Sequence, residues 1–184
     1  MTATSWAAWA LLILTFALVT AMAFRRRCVA RADREERAGR PRDLIDAELI
    51  YLEKRFDVTE PVRLSARLDR AYRKRNGLIV LVELKTRAVS RAFPSDVIQL
   101  SAQKLALEHK RGQAVAQHGY VVAQTPDGVR EAHRVQLISE AAVVALIRRR
   151  EAILAGLISP RHVASVKVCR TCAYQTICPD RHDR

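Results

Sequence analysis

Residues 62–86 read VRLSARLDRAYRKRNGLIVLVELKT, and the pattern of this stretch decides the fold. Leu64, Ala66 and Leu68 alternate with polar residues, which predicts a strand over 62–72 with one apolar face. Asn76-Gly77 is a strong turn signal and predicts a hairpin. Leu78–Thr86 then predicts a second strand, whose run LIVLVEL is apolar enough to be central and covered on both faces. Glu83 and Lys85 sit at the end of that run, two residues apart, so they share a face. An ionised pair at that depth is costly without partners. Asp69 lies on the preceding strand. A three-residue loop places it directly opposite Glu83, and a two-residue turn makes the two diagonal neighbours. In either register two carboxylates crowd one place, and a hard divalent ion such as Mg²⁺ or Mn²⁺ relieves their repulsion. Two carboxylates and a lysine beside such an ion suit phosphodiester hydrolysis: the metal polarises the phosphate and acidifies a water, and the lysine positions that water. An ordinary Glu–Lys pair on a strand surface is the competing reading of the same residues.

Working outward, Asp43 is placed to cap a helix carrying Leu44, Ile45, Leu49, Leu52 and Phe56, ended by Pro61. Pro94 introduces a helix over 95–110 with Val97, Ile98, Leu100, Leu105 and Leu107. A short strand is expected at Tyr120–Gln124 and another around Arg134–Ile138, joined by the turn Thr125-Pro126-Asp127-Gly128. Glu140–Leu157 reads as a last helix. That order predicts an α/β domain with a small mixed sheet flanked by helices. The chain of 184 residues is long enough for one such domain, and it contains no internal repeat.

Ser5–Phe24 holds no charged residue and is about as long as a helix that crosses a bilayer core. Trp6 and Trp9 lie at its outer edge, and Arg25, Arg26 and Arg27 follow it. No Lys or Arg precedes it, which favours an uncleaved single-pass anchor over a signal peptide and puts the rest of the chain in the cytoplasm. The expected organisation is therefore an anchor at 1–24, a basic linker at 25–42 and one domain at 43–184. The formal net charge of +13 suits a polyanionic partner, either nucleic acid or anionic lipid.

The chain has four cysteines, Cys28, Cys169, Cys172 and Cys178. In a cytoplasmic domain they point to metal rather than to disulfides. Cys169-x2-Cys172-x5-Cys178 has two ways to close: Cys28 supplies a fourth thiolate, which favours a [4Fe–4S] cluster, or His182 completes a Zn²⁺ site.

Asp69 followed 14 positions later by Glu83-Leu84-Lys85 resembles the signature of the PD-(D/E)xK nuclease superfamily. Gln99 on the following helix matches the glutamine of its RecB-like branch. Two positions depart: Leu68 stands where the signature name has proline, and Gln103 stands where the branch has tyrosine. The resemblance implies a restriction-endonuclease-like core. It also implies that Asp69 and Glu83 bind the catalytic metal, that Lys85 activates water and that Gln99 supports the site. An acidic residue on the first helix often completes such a site, and Glu48 is preferred here over Glu53. The CRISPR-associated RecB-like exonucleases and the nuclease domain of AddB-type helicase–nucleases carry one cysteine before these motifs and three after them. Cys28, Cys169, Cys172 and Cys178 repeat that order. The likeness implies a structural [4Fe–4S] cluster and an exonuclease acting on DNA ends or single strands. A non-catalytic nucleic-acid-binding protein of the same fold, and a zinc-binding membrane protein, are the readings from other classes.

Overall fold

The computed structural model describes residues 3–161 and 165–178. The chain divides into two compact units, Met1–Glu140 and Ala141–Arg184.

The first unit is built on a five-stranded mixed sheet in the order β1-β2-β3-β4-β5. The strands are β1 (Glu48–Val58), β2 (Leu64–Arg73), β3 (Ile79–Thr86), β4 (His118–Gln124) and β5 (Arg130–Gln136). β1, β2 and β3 pair antiparallel, β3 and β4 parallel, and β4 and β5 antiparallel. The parallel step requires a crossover, which helix α2 (Pro94–Arg111) supplies. An α/β fold with a small mixed sheet is what the order of predicted elements implied.

β3 is central, and its side chains alternate between two apolar layers. Ile79 and Leu81 join Leu68, Leu100, Leu107 and Val121 in the layer that includes α2 residues. Val80 and Val82 join Leu44, Tyr72, Tyr120 and Val122 on the other face. Burial on both sides is why LIVLVEL shows no polar alternation. Gly119 lets β4 come close to its neighbours, since a Cβ there would lie 3.0 Å from the Leu81 carbonyl and 3.4 Å from Leu100 Cδ1.

The hairpin takes the three-residue register. Arg73 pairs with Ile79, the Lys74 N–H donates to the Leu78 carbonyl at 2.9 Å, and Gly77 adopts φ 83°. Only glycine takes that conformation without strain. Continued one step past the Arg70–Val82 pair, this register sets Asp69 opposite Glu83.

The helix expected over Leu44–Phe56 is not there. A 3₁₀ turn at Arg42–Leu44 leads into β1, which pairs with β2 along its length. The register shifts between Leu49 and Tyr51, and Glu53 takes φ 50°. These irregularities break the period of two, so the apolar residues of a bulged strand fall at spacings that imitate a helix.

Helix α1 (Ala3–Ala38) covers both the expected anchor and most of the expected linker as one continuous helix. Every described side chain from Leu12 to Cys28 is exposed. Among the described residues no helix is long and apolar enough to cross a membrane. The membrane-spanning helix expected at 5–24 is corrected to that extent: the helix does not stop at Phe24 but continues through the charged stretch from Arg25 to Ala38. Its last turn docks on the second sheet face. Glu36 binds Arg40 at 2.8 Å and accepts from the Tyr72 hydroxyl, and Arg40 donates to the carbonyls of Ile45 and Ala47 at 3.0 Å. Burial, reinforced by Glu36, pushes the Tyr72 hydroxyl up to about 12.

The second unit contains most of α3 (Glu140–Leu154), the short helix α4 (Val166–Arg170) and a 3₁₀ turn at Gln175–Ile177.

Candidate active site

Glu83 is the centre of the site, and it is only 2% exposed. It points from β3 to the side of the sheet on which α2 packs. Lys85 Nζ lies 2.7 Å from its Oε1, and Gln99 Nε2 donates to the same oxygen at 2.6 Å. Lys85 Nζ also donates to Gln99 Oε1 at 2.9 Å, which closes a triangle of three side chains. Gln103 Nε2 donates to the other oxygen, Oε2, at 2.7 Å and to the Arg67 carbonyl at 2.9 Å. Gln99 and Gln103 are one helical turn apart, so α2 presents both amides to one carboxylate.

Asp69 completes the group from β2. Its Oδ2 accepts the Leu84 N–H at 2.8 Å, which ties the carboxylate to the backbone beside Glu83. Burial pushes the Glu83 carboxyl up, and the charge of Asp69 adds to that, against the hydrogen bonds from Lys85 and Gln103. The pair is therefore a place of excess negative charge that a cation relieves. Two carboxylates offer the oxygen donors a hard divalent ion prefers, so this chemistry fits Mg²⁺ or Mn²⁺. Among the described residues no three His, Cys, Asp or Glu side chains converge closely enough to hold a metal ion. Glu48, expected on a first helix as a third acidic ligand, begins β1 instead. That residue stands on a strand, beside Arg73 and four positions along β2 from Asp69. Glu53 is nearer, since its neighbours Leu52 and Lys54 pair with Arg70 and Leu68, but its carboxylate is held by Arg67 at 2.5 Å.

A second buried pair fixes how β3 meets α2. Arg87 grips Asp96 with two parallel hydrogen bonds of 2.9 and 3.0 Å, and its guanidinium stacks 4.8 Å from the Phe93 ring. Asp96 also accepts the Phe93 N–H at 2.8 Å, capping α2. Burial by itself raises the Asp96 carboxyl, but Arg87 and the Phe93 N–H prevail and hold it below the usual carboxylate range. Because Arg87 follows Lys85 by two residues and Asp96 precedes Gln99 by three, this clamp sets the approach of the two elements that carry the candidate site. Sequence reasoning passed over both residues and treated Gln103 only as a departure. The i,i+4 spacing of Gln99 and Gln103 was the available signal for the latter.

None of the four cysteines is in a disulfide. Cys28 belongs to the first unit and is exposed; Cys169, Cys172 and Cys178 belong to the second. Cys169 is buried on α4, and the Cys172 N–H returns to the Cys169 carbonyl at 3.1 Å, so a tight turn joins the two. His182 lies outside the described residues.

The sequence family described as the PD-(D/E)XK nuclease superfamily matches over residues 10–179. No curated protein matches. Among solved structures, that of a protein designated SSO0001 is 24% identical, with 74% of this chain and 62% of that one covered and a TM-score of 0.46. A protein from Eubacterium rectale, whose name calls it a candidate exonuclease, is 11% identical, with 86% and 59% covered and a TM-score of 0.46. The chain thus spans about three fifths of the length of these structures.

Proposed function

We propose, from the premise that this chain belongs to the PD-(D/E)XK nuclease superfamily, that it is a divalent-metal-dependent deoxyribonuclease trimming DNA ends or single strands. The observation that carries this reading is Glu83, buried opposite Asp69 and held at both oxygens by Lys85, Gln99 and Gln103. Asp69 and Glu83 would hold the metal. A Mg²⁺ or Mn²⁺ ion bound there would supply Lewis acidity to the phosphate and lower the pKa of a water. The chain's own residues do the rest. Gln99 and Lys85 hold one oxygen of the Glu83 carboxylate and Gln103 the other, which fixes its orientation in the site. Lys85, with 28% of its side chain exposed, reaches solvent from beside a buried carboxylate. Its ammonium would hold the attacking water and donate to a phosphoryl oxygen as charge builds there. Cleavage of end-labelled single- and double-stranded DNA with Mn²⁺, compared with Lys85→Ala, tests the reading. Binding without any cleavage under those conditions would favour the non-catalytic nucleic-acid-binding alternative.

Two further parts of the proposal rest on the sequence. Cys28, Cys169, Cys172 and Cys178 are assigned to a structural [4Fe–4S] cluster, and anaerobically purified protein should absorb near 400 nm. Colourless protein with stoichiometric Zn²⁺ would replace Cys28 by His182 as the fourth ligand. The uncharged run Ser5–Phe24, followed by Arg25, Arg26 and Arg27, is read as attaching the chain to a membrane with the rest of it in the cytoplasm. Recovery of the full chain in the soluble fraction, without detergent, would refute that.

A further inference from the structure

On the sheet face opposite the carboxylates, a cavity of about 160 Å³ opens at the carboxyl ends of β3 and β4. Leu84, Thr86 and Gln124 line it from the strands, Arg70 and Arg130 from either side, and Gly39 from the chain just after α1. Side chains alternate along β3, so Leu84 and Thr86 face this cavity; Lys85 between them also borders it, while its ammonium reaches Glu83 on the carboxylate side. The Nη1 of Arg70 donates to the Glu36 carbonyl at 3.4 Å, but its Nε is buried without a hydrogen-bond partner. A buried guanidinium donor left unpaired is rare in a folded protein and calls for a ligand or a water. The Nε of Arg130 is fixed by Gln124 Oε1 at 2.9 Å. A Cβ on Gly39 would sit 3.4 Å from Arg130 Nη1 and 3.8 Å from Arg70 Nη1, so two guanidiniums converge on one point. Among the described residues, Glu36 is engaged by Arg40, Asp43 by Lys74 and Glu131 by Ser90.

We propose that this cavity is a second phosphate site, and that it holds a backbone phosphate of the nucleic acid outside the scissile bond. Guanidinium forks match phosphate oxygens, and open α/β sheets bind ligands beyond the carboxyl ends of their strands. β3 ends at Thr86, so a polynucleotide passing that edge meets Lys85 on one face and Arg70 on the other. A contact of this kind adds affinity and sets position without reading sequence. The inference rests on the reading that the substrate is nucleic acid.

The test is binding of a labelled single-stranded oligonucleotide to the full chain without divalent ions, as a function of salt. Two variants are compared with wild type. Arg70→Gln removes one guanidinium. Gly39→Asp keeps both and sets a carboxylate where they converge. Each variant should weaken binding by about tenfold and lower the salt slope by about one. Single-turnover cleavage at saturating DNA should stay at the wild-type rate, since neither residue touches Glu83 or Lys85. Wild-type affinity in Gly39→Asp overturns the proposal even if Arg70→Gln binds weakly, because Arg70 then acts only through its bond to Glu36. Inorganic phosphate that raises the melting temperature while both variants keep wild-type DNA affinity also overturns it and leaves a small-anion site. Weakened binding in both variants, with no cleavage by any form of the protein, supports the phosphate site and removes the nuclease reading.

Discussion

Gln103→Leu should move the acidic limb of the pH–rate profile upward by one to two units. Gln103 is 2% exposed, and its amide spends both N–H groups inside the site, at 2.7 Å from Glu83 Oε2 and 2.9 Å from the Arg67 carbonyl. Leucine has similar bulk and no donor, so the substitution keeps the packing and strips one oxygen of its partner. A hydrogen bond to a charged group contributes about 1.5–3 kcal/mol, and one pKa unit is about 1.4 kcal/mol. Losing the bond therefore raises the Glu83 carboxyl further, on top of the rise that burial and Asp69 already impose, and the limb moves up with it. Only the ionised carboxylate binds metal well, so the rate should fall about tenfold for each unit of pH below the new limb. It should return towards wild type above that limb. Single-turnover cleavage measured from about pH 5 to 9 at fixed Mn²⁺ reads the shift directly. A merely structural role would lower the rate evenly across pH or lower the melting temperature. A variant limb that coincides with wild type would refute the claim that Gln103 holds Glu83 ionised.

Three further outcomes are expected. Glu83→Ala and Lys85→Ala should each abolish metal-dependent cleavage without unfolding the protein, and Asp69→Asn should lose activity that higher Mn²⁺ partly restores; wild-type rates in either alanine variant would displace the site. Without metal, the raised Glu83 pKa means the folded state binds the proton more tightly than the unfolded one, so this group's contribution to stability is present below the ordinary value of 4.5 and lost as pH rises through the raised value. The melting temperature of wild type relative to Glu83→Gln should accordingly fall as pH rises across that window, and Mg²⁺ should reverse the fall; a pH-independent difference would contradict the assigned direction. Arg87→Leu leaves the Asp96 side chain, 5% exposed, without its cation and should cost about 3–5 kcal/mol in urea unfolding, whereas a loss under about 1 kcal/mol would mean that the clamp does not hold β3 to α2.

The hairpin and the meeting of its charged side chains were legible in the chain itself. Alternation over Leu64–Leu68, the Asn76-Gly77 turn and the unbroken apolar run after it are local patterns, and local patterns follow from side-chain direction along a strand. They sufficed to place Asp69, Glu83 and Lys85 on one face, and the helical spacing after Pro94 sufficed to bring Gln99 towards them. The choice between two hairpin registers was not legible, because both satisfy the same alternation; the three-residue loop emerges only when Arg73 pairs with Ile79. β1 was misread for the converse reason: its bulge shifts the phase of its apolar residues, and pairing with β2 across the whole strand outweighs any local periodicity. Gln103, Arg87, Asp96 and Arg70 carry no signal as single letters, since a glutamine or an arginine reads as surface until something covers it. Their roles come from α2 crossing over β3 and from the end of α1 closing the opposite face. The one-dimensional order thus determined which groups the chemistry has to work with. The packing of α2 and α1 on the two faces of the sheet decided which of those groups are buried, paired and held against one another, because burial and pairing depend on contacts between segments far apart in the chain.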